Sequence, residues 1–360
     1  MTKKLLFLNG LAIIFVSLHH ATAYGLQAMF YWTDRYLPVT VPNFDQFGSF
    51  PYQATMALRQ INSLAVPAFL FVSGYFVAFM ARGETKTFTW KMVVPRIKVL
   101  ALPFVVWTIL RYVLLTRFPT SLDEVLSVYA FVPLLIQFYL VSPILVPLAK
   151  RNGKTVILIA AALHLGVQTL RYLNGLGIEF PGQAQVLSVT PYWFFLGQQQ
   201  LWFPLGLVVG LHLQEFKEWA NRYRIGFLIA TVVLGVVSIL EFQVIENLNG
   251  EQMLGPAFAG MTRTFFILAF LLWFMTIDEK ALPFPNGLST LSARSLGIYL
   301  GNIPAIYVVA VFMYRFTPLL LGNQFFYQGI LFTVGIAIPL LLMEGVRRSP
   351  ARRWYRYIFG

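Results

Sequence analysis

The chain lacks cysteine entirely and has few charged residues. Without cysteine there can be no disulfide, no thiolate nucleophile and no zinc–thiolate site. Charged residues make up 11% of the 360 positions, whereas soluble domains carry about 25%. Hydrophobic residues make up 58%, and the mean hydropathy is +0.68. A soluble fold could not bury this much apolar surface, so the sequence predicts an all-α integral membrane protein.

Acidic residues are also scarce, with 14 Asp and Glu against 27 Lys and Arg, which gives a net charge of +13. In a nucleic-acid-binding protein the basic residues would form a stripe or patch. Here they are interleaved with apolar runs, a pattern typical of the positive-inside rule and of contact with anionic lipid headgroups. We therefore expect membrane lipids as partners and no nucleic acid. We also expect no metal.

The apolar runs predict about ten transmembrane helices, because a bilayer core of about 30 Å needs roughly 20 helical residues. The predicted spans are residues 5–24, 61–81, 99–116, 126–149, 155–171, 191–213, 225–242, 258–277, 296–314 and 326–346. Most Lys and Arg fall in both termini and the alternate loops on the same side. This bias predicts cytoplasmic termini in a cell (plasma or inner) membrane. The first span extends past any small-residue cleavage site, so we expect no cleaved signal peptide.

Two segments outside the spans are distinctive. Residues 29–60 are rich in aromatic residues and proline, which fits an interfacial cap, part of a substrate mouth, or equally a loop at headgroup level. Residues 347–360 are basic and aromatic and predict a cytoplasmic tail that anchors to lipid. The domain organisation is therefore one transmembrane domain at 1–346 followed by this tail.

Polar groups within apolar spans are costly and usually functional. His20 lies toward the outer end of the first span, where a neutral histidine could act as a general base; a helix–helix hydrogen bond is the competing interpretation. Gln198, Arg111 and Glu241 are candidates for binding substrate. For Glu241, an exposed position at the outer boundary is an equally good explanation.

Basic residues are compact where the third span begins. Arg96 and Lys98 form a short cluster there, and Arg82 lies at the end of the second span. Positive-inside sorting explains the number of these cations. Their placement also suits the phosphates of a nucleotide-like donor.

Four stretches resemble, in order, the membrane acyltransferase-3 family of multi-pass O-acyltransferases. They are LNGLAIIFVSLHH at 8–20, VPAFLFVSGY at 66–75, PRIKVLALPFVVW at 95–107 and LSARSLGIYLGN at 291–302. The resemblance implies transfer of an acyl group, usually acetyl, from cytoplasmic acyl-CoA to a hydroxyl of a cell-surface glycan or lipid-linked glycan. His20 would then be the base, Arg96 would face the donor phosphates, and Ser73 and Tyr299 would shape a pore.

The chain departs from the family pattern at two positions. Asn9 replaces the basic residue that precedes the histidine by eleven positions, and Asn302 replaces a late histidine. Asn9 is counted with His20, Ser73 and Tyr299 as a catalytic candidate, and Asn302 as a substrate-binding one. A catalytically altered scaffold that exports a polysaccharide or lipid is the alternative. A secondary transporter is a third hypothesis, disfavoured because we find no inverted repeat.

Overall fold

The structure is a computed structural model that describes residues 2–82, 88–248 and 260–360. These residues fold into α-helices and short 3₁₀ turns, with no β-strand among them. The helices of the first half are α1 (Thr2–Phe30), α2 (Phe50–Asn62), α3 (Ala65–Ala81), α4 (Trp90–Leu114), α5 (Leu122–Ser127), α6 (Phe131–Gly175) and α7 (Gln183–Ser188). Those of the second half are α8 (Trp202–Leu211), α9 (Leu213–Arg222), α10 (Arg224–Leu248), α11 (Met261–Thr276), α12 (Pro285–Ala293), α13 (Ser295–Phe316), α14 (Gln324–Arg348) and α15 (Tyr355–Phe359).

The all-helical prediction is confirmed, and the chain has the apolar helices of a multi-pass membrane protein. Seven helical stretches in the described part are long and apolar enough to cross a bilayer. They are Lys3–Phe30, Phe50–Ala81, Trp90–Leu114, Phe131–Gly175, Arg224–Glu246, Ser295–Phe316 and Gln324–Arg348. Two shorter apolar helices, α8 and α11, add to these. The number of about ten spans and the side on which the termini lie both stay predictions.

α6 is too long to be one transmembrane helix. Its 45 residues would extend about 68 Å at 1.5 Å per residue, more than twice the hydrocarbon thickness. The helix is broken at Asn152, whose φ of −150° and ψ of 79° are not helical. The Asn152 side chain accepts a hydrogen bond from the Thr155 backbone N–H at 3.1 Å, as an N-cap does. This break lies between the fourth and fifth predicted spans.

The prediction of a helix over 191–213 is wrong for its first half. Residues 190–201 form turns, and α8 begins only at Trp202. Pro204 contributes to this late start, because its ring clashes with a helical carbonyl at Gln200 and its nitrogen cannot donate to it. Gln137 on α6 holds the turns in place: its Nε2 donates to the Trp193 carbonyl at 2.7 Å, and its Oε1 accepts from the Phe195 N–H at 3.3 Å.

The segment 29–60 is partly helical, because α2 begins at Phe50, eleven positions before the predicted second span. Aromatic rings pack together ahead of and within α2. The Phe30 ring lies 5.0 Å from Phe47 and 5.7 Å from Tyr52, and Phe47 lies 5.1 Å from Tyr52. These distances are typical of packed aromatic pairs, so the rings form a fixed cluster.

The chain divides into two compact units. Unit 1 contains Met1–Leu8 and Val66–Pro283, and unit 2 contains Asn9–Ala65 and Phe284–Gly360. In unit 2, the basic segment after residue 346 is folded: α15 packs against α13 and α14, and Phe359 is 3% exposed.

Within unit 1, α3 and α8 approach each other through small residues. A Cβ added at Gly206 would lie 1.9 Å from the Phe71 carbonyl oxygen, and one at Gly74 would lie 2.1 Å from the Phe203 carbonyl oxygen. Gly206 and Gly210 on α8 form a G-x-x-x-G pattern, which allows backbones of membrane helices to come close. The two helices therefore pack backbone to backbone.

Candidate functional site

His20 makes a direct hydrogen bond to Asn302 within unit 2. The His20 Nδ1 and the Asn302 Oδ1 are 2.7 Å apart, although 282 positions separate the residues along the chain. α1 supplies the histidine and α13 the asparagine. Asn302 is fully buried, whereas His20 is partly buried. Two of the sequence-predicted residues are therefore brought into contact.

The other contacts of Asn302 determine which atom faces His20. The Asn302 Nδ2 donates to the Gly335 carbonyl at 2.8 Å and to the Ser17 Oγ at 2.9 Å. A carbonyl oxygen can only accept, so the amide nitrogen must point toward Gly335 and the amide oxygen toward His20. The His20 Nδ1 must then carry the proton and donate it to Asn302. In the neutral imidazole this leaves the lone pair on Nε2, as a general base requires.

The chain around this pair is built to hold Asn302 in one orientation. The Ser17 hydroxyl donates onward to the Phe332 carbonyl at 3.1 Å, which connects α1 with α14. A Cβ at Gly335 would lie 2.6 Å from the Asn302 Nδ2 and 2.7 Å from the Ser17 Oγ. Only glycine lets α14 present its carbonyl at this distance. Sequence reasoning missed Ser17 as a functional residue and missed Gly335 altogether.

Asn9, at the position of the family's basic residue, has a different set of contacts in unit 2. Its Nδ2 lies 3.0 Å from the Ser292 Oγ and 3.1 Å from the Ser295 Oγ. These serines lie at the end of α12 and the start of α13. Asn9 thus connects α1 to the junction that begins the helix carrying Asn302. Tyr299, one turn before Asn302 on α13, is 9% exposed.

Replacing Asn9 by alanine is expected to lower the free energy of unfolding by about 1–2 kcal/mol, because hydrogen bonds to both serines are lost. Thermal unfolding of the purified protein in detergent measures this as a lower Tm. Asn286→Ala is the matched control, since Asn286 is exposed on α12. An Asn9→Ala protein with the Tm of the control would contradict the structural role.

Arg59 on α2 is a cation within the segment 29–60, and the sequence assigned it no role. Its Nη1 donates to the His19 carbonyl at 3.2 Å and lies 3.4 Å from the Thr22 Oγ1. No Asp or Glu of the described part forms a salt bridge with it. Arg59 therefore fixes α2 against the turn of α1 that carries the two histidines.

The predicted donor-binding residues and Ser73 belong to unit 1. Arg96 and Lys98 are exposed near the start of α4. Ser73 is partly buried on α3. Arg82 has a structural contact instead: its guanidinium donates to the Gly210 carbonyl near the end of α8 and lies 5.8 Å from the centre of the Tyr75 ring. Arg82 is thus a cation at a helix C-terminus.

Three predicted substrate-binding residues also lie in unit 1. Gln198 is 2% exposed and lies in the turns before α8. Arg111 is partly exposed near the end of α4. The Glu241 carboxylate accepts from the backbone N–H groups of Met261 at 3.0 Å and Thr262 at 2.9 Å. Glu241 therefore caps the first turn of α11, where a negative charge is stabilising.

Comparison with known proteins adds one finding to this geometry. A family model described as an acyltransferase domain, of the acyltransferase-3 type, matches residues 5–344. The chain belongs to the acyltransferase-3 family. No curated protein and no solved structure matches it significantly.

Membership of the acyltransferase-3 family confirms the resemblance seen in the four sequence stretches, and the match includes both His20 and Asn302. The roles of individual residues stay predictions. Among the described residues, no three His, Asp or Glu side chains come together as metal ligands would. The hydrogen bonds of Asn302 leave the Nε2 lone pair of a neutral His20 free of the contact with Asn302.

Proposed function

We propose that this chain transfers an acyl group, acetyl in the first instance, from acyl-CoA to a hydroxyl of a cell-surface glycan or lipid-linked glycan. The His20–Asn302 contact is a helix–helix hydrogen bond, as the competing interpretation expects. The observation that carries the proposal is that this bond uses Nδ1 and leaves the Nε2 lone pair to act as a base, supported by family membership. We place the protein in the cell membrane with both termini in the cytoplasm, as the charge distribution predicts. The donor would then approach from the cytoplasmic side.

In the proposed step, the His20 Nε2 takes the proton of the acceptor hydroxyl. At the same time, the oxygen of that hydroxyl attacks the thioester carbonyl carbon of the donor. A new C–O bond forms, the C–S bond breaks, and the leaving thiolate takes the proton from the imidazolium. Asn302 holds the imidazole so that Nε2 carries the lone pair at the start. It accepts a hydrogen bond from Nδ1 throughout, including when the ring is charged.

The donor nucleotide is assigned to the exposed cations of α4. Arg96 and Lys98 lie within one turn of each other and have no salt bridge to a described carboxylate, so their charges are available for the CoA phosphates. Arg82 is less suited to this role because its guanidinium donates to the Gly210 carbonyl.

Deleting the gene distinguishes acyl transfer from the export alternative. If the protein transfers acyl groups, deletion in the source cell should remove the O-acetyl signals from the NMR spectrum of the isolated surface polysaccharide while leaving the amount of polymer unchanged. Complementation with the intact gene should restore the signals. Loss of the polymer itself, with normal acetylation of what remains, would reject acyl transfer in favour of export.

Asn302 offers a test of the positioning role. Asn302→Leu is expected to lower kcat by about 10²-fold with little change in the donor KM, because the imidazole loses its orientation. Asn302→Asp keeps an oxygen that accepts from Nδ1, and in this fully buried position the O–H of a protonated carboxyl can replace Nδ2 as the donor to the Gly335 carbonyl, so this variant should retain clearly more activity than the leucine variant. Steady-state kinetics on purified proteins of equal Tm measure both. Equal losses in the two variants would show that accepting from His20 is not what Asn302 contributes.

A further inference from the structure

The turns before α8 lie deep in unit 1, at an unusual place for irregular backbone. α8 has ten residues and extends about 15 Å, roughly half of the hydrocarbon thickness. Its far end leads into the charged helix α9, which is suited to the membrane interface. The last of these turns, residues 197–201, which are all buried, therefore lie near the middle of the membrane. Non-helical backbone is tolerated at this depth only where it is enclosed by protein or lines a polar cavity.

Three consecutive glutamines occupy this position with unmet hydrogen-bonding capacity. Gln198, Gln199 and Gln200 are 2%, 7% and 4% exposed. The Nε2 and Oε1 of Gln198, the Oε1 of Gln199 and the Nε2 of Gln200 are buried and have no hydrogen-bond partner among the residues that the structure describes. Each unpaired buried polar group costs about 1–3 kcal/mol. Four such atoms side by side point to a hydrogen-bonding partner beyond the described residues.

The neighbouring polar groups limit what that partner can be. His164 on α6 uses both ring nitrogens: Nδ1 lies 3.3 Å from the Gln200 Oε1, and Nε2 lies 3.3 Å from the Thr264 Oγ1. The Trp202 ring packs edge-on to His164, with ring centres 5.3 Å apart. The groups that form hydrogen bonds at this place are amides, an imidazole and a hydroxyl. They offer free donors and free acceptors together, which suits a neutral ligand carrying both, whereas a phosphate would leave the acceptors unpaired.

We propose that Gln198–Gln200 binds the pantetheine arm of the acyl donor through amide–amide hydrogen bonds. This assignment rests on the proposed function, which supplies acyl-CoA as the donor. Pantetheine is neutral and slender and carries two secondary amides, each with one N–H donor and one carbonyl acceptor. A side-chain amide with both of its polar atoms free, as in Gln198, matches such a group. The hydroxyls of a glycan have similar chemistry, and the experiment must separate the two sources.

The test compares ligand binding by the wild type and by Gln198→Leu, both purified in nanodiscs. The probes are CoA, pantetheine, adenosine 3′,5′-bisphosphate and maltotriose, measured by calorimetry. We expect the dissociation constants of CoA and pantetheine to rise about tenfold in the variant, which corresponds to about 1.4 kcal/mol. Adenosine 3′,5′-bisphosphate has no amide arm and should bind equally well to both proteins. A selective loss of maltotriose binding would instead assign the glutamines to the acceptor and overturn the proposal.

Thermal stability separates ligand binding from a structural role. Replacing an unpaired buried amide by leucine should leave the Tm of the ligand-free protein unchanged or raise it, because no hydrogen bond is lost. A lower Tm with equal weakening of all probes would assign Gln198 to the fold. Gln214→Leu is the control: Gln214 is exposed on α9 and bonds to Glu218, so its loss should change neither binding nor Tm.

The outcome for the wild type distinguishes this inference from the proposed function. If the wild type binds CoA and Gln198→Leu binds it equally well, the pantetheine assignment is wrong and the donor assignment stands. If the wild type binds neither CoA nor pantetheine, both assignments are wrong.

Discussion

Replacing His20 by alanine is expected to abolish measurable acyl transfer, lowering kcat/KM by about 10²–10⁴-fold. The imidazole is the group that the structure orients through Asn302, and alanine leaves nothing in its place to accept the hydroxyl proton. The readout is the O-acetyl signal in the NMR spectrum of the isolated polysaccharide, with the protein level checked by immunoblot. Alanine cannot accept a proton, so raising the pH should not restore activity to the variant.

The adjacent histidine gives a matched control. His19 has the same chemistry and a similar position along α1, but the hydrogen bond to Asn302 belongs to His20. His19→Ala should therefore reduce acetylation far less than His20→Ala. Wild-type acetylation in the His20 variant at an equal protein level would reject the catalytic assignment. A reversed order of the two variants would move the base to His19.

Replacing Gly206 by alanine is expected to lower the free energy of unfolding by about 3 kcal/mol or more. The added Cβ would lie 1.9 Å from the Phe71 carbonyl oxygen, a rigid backbone atom, so α3 and α8 would have to separate. Separation would also disturb the contact between Arg82 and the Gly210 carbonyl. We expect little folded protein to be recovered and a sharply lower Tm in what remains. Gly74→Ala should behave in the same way from the opposite helix.

A second helical glycine provides the control for this substitution. Gly226 lies on α10, and a Cβ there would meet no atom within 4 Å. Alanine in an open helical position is more favourable than glycine by about 1 kcal/mol, so Gly226→Ala should leave stability unchanged or raise it. Comparable losses in the two variants would mean that close packing of α3 and α8 is not the cause.

Hydropathy alone predicted most of the helices, because apolar runs of about 20 residues have no other stable place than a bilayer. The break in α6 was also predictable, since Lys150, Asn152 and Lys154 interrupt the apolar pattern there. The late start of α8 was not predictable from the sequence. Residues 191–196 are nearly all apolar or aromatic, and hydropathy cannot distinguish an apolar turn enclosed by protein from an apolar helix. The hydrogen bonds from Gln137 that hold those turns are tertiary contacts.

The sequence predicted residues of the candidate site, but it did not predict the hydrogen bonds between them. The family resemblance placed both His20 and Asn302 in the functional set, yet no local pattern shows that residues 282 positions apart are hydrogen-bonded. In the sequence, Asn302 stands where the family has a histidine, and an amide cannot titrate as a histidine does. In the structure, the Asn302 Oδ1 accepts the hydrogen bond from His20 Nδ1 that sets the tautomer of His20. Gly335 was invisible to sequence reasoning, because its importance comes only from the close approach of α14.

α10 shows how unevenly selection should act along this chain. Among the seven long apolar helical stretches of the described part, α10 is the most apolar and the least buried within the protein. Val232, Val233 and Val236 are 60%, 51% and 53% exposed. Other apolar side chains would fit equally well at these positions, because they pack little against the rest of the protein. During evolution, apolar residues of this helix can therefore be substituted by other apolar residues with little effect on stability. Among distant relatives, we expect sequence identity to be lowest in α10, although the helix itself should be retained.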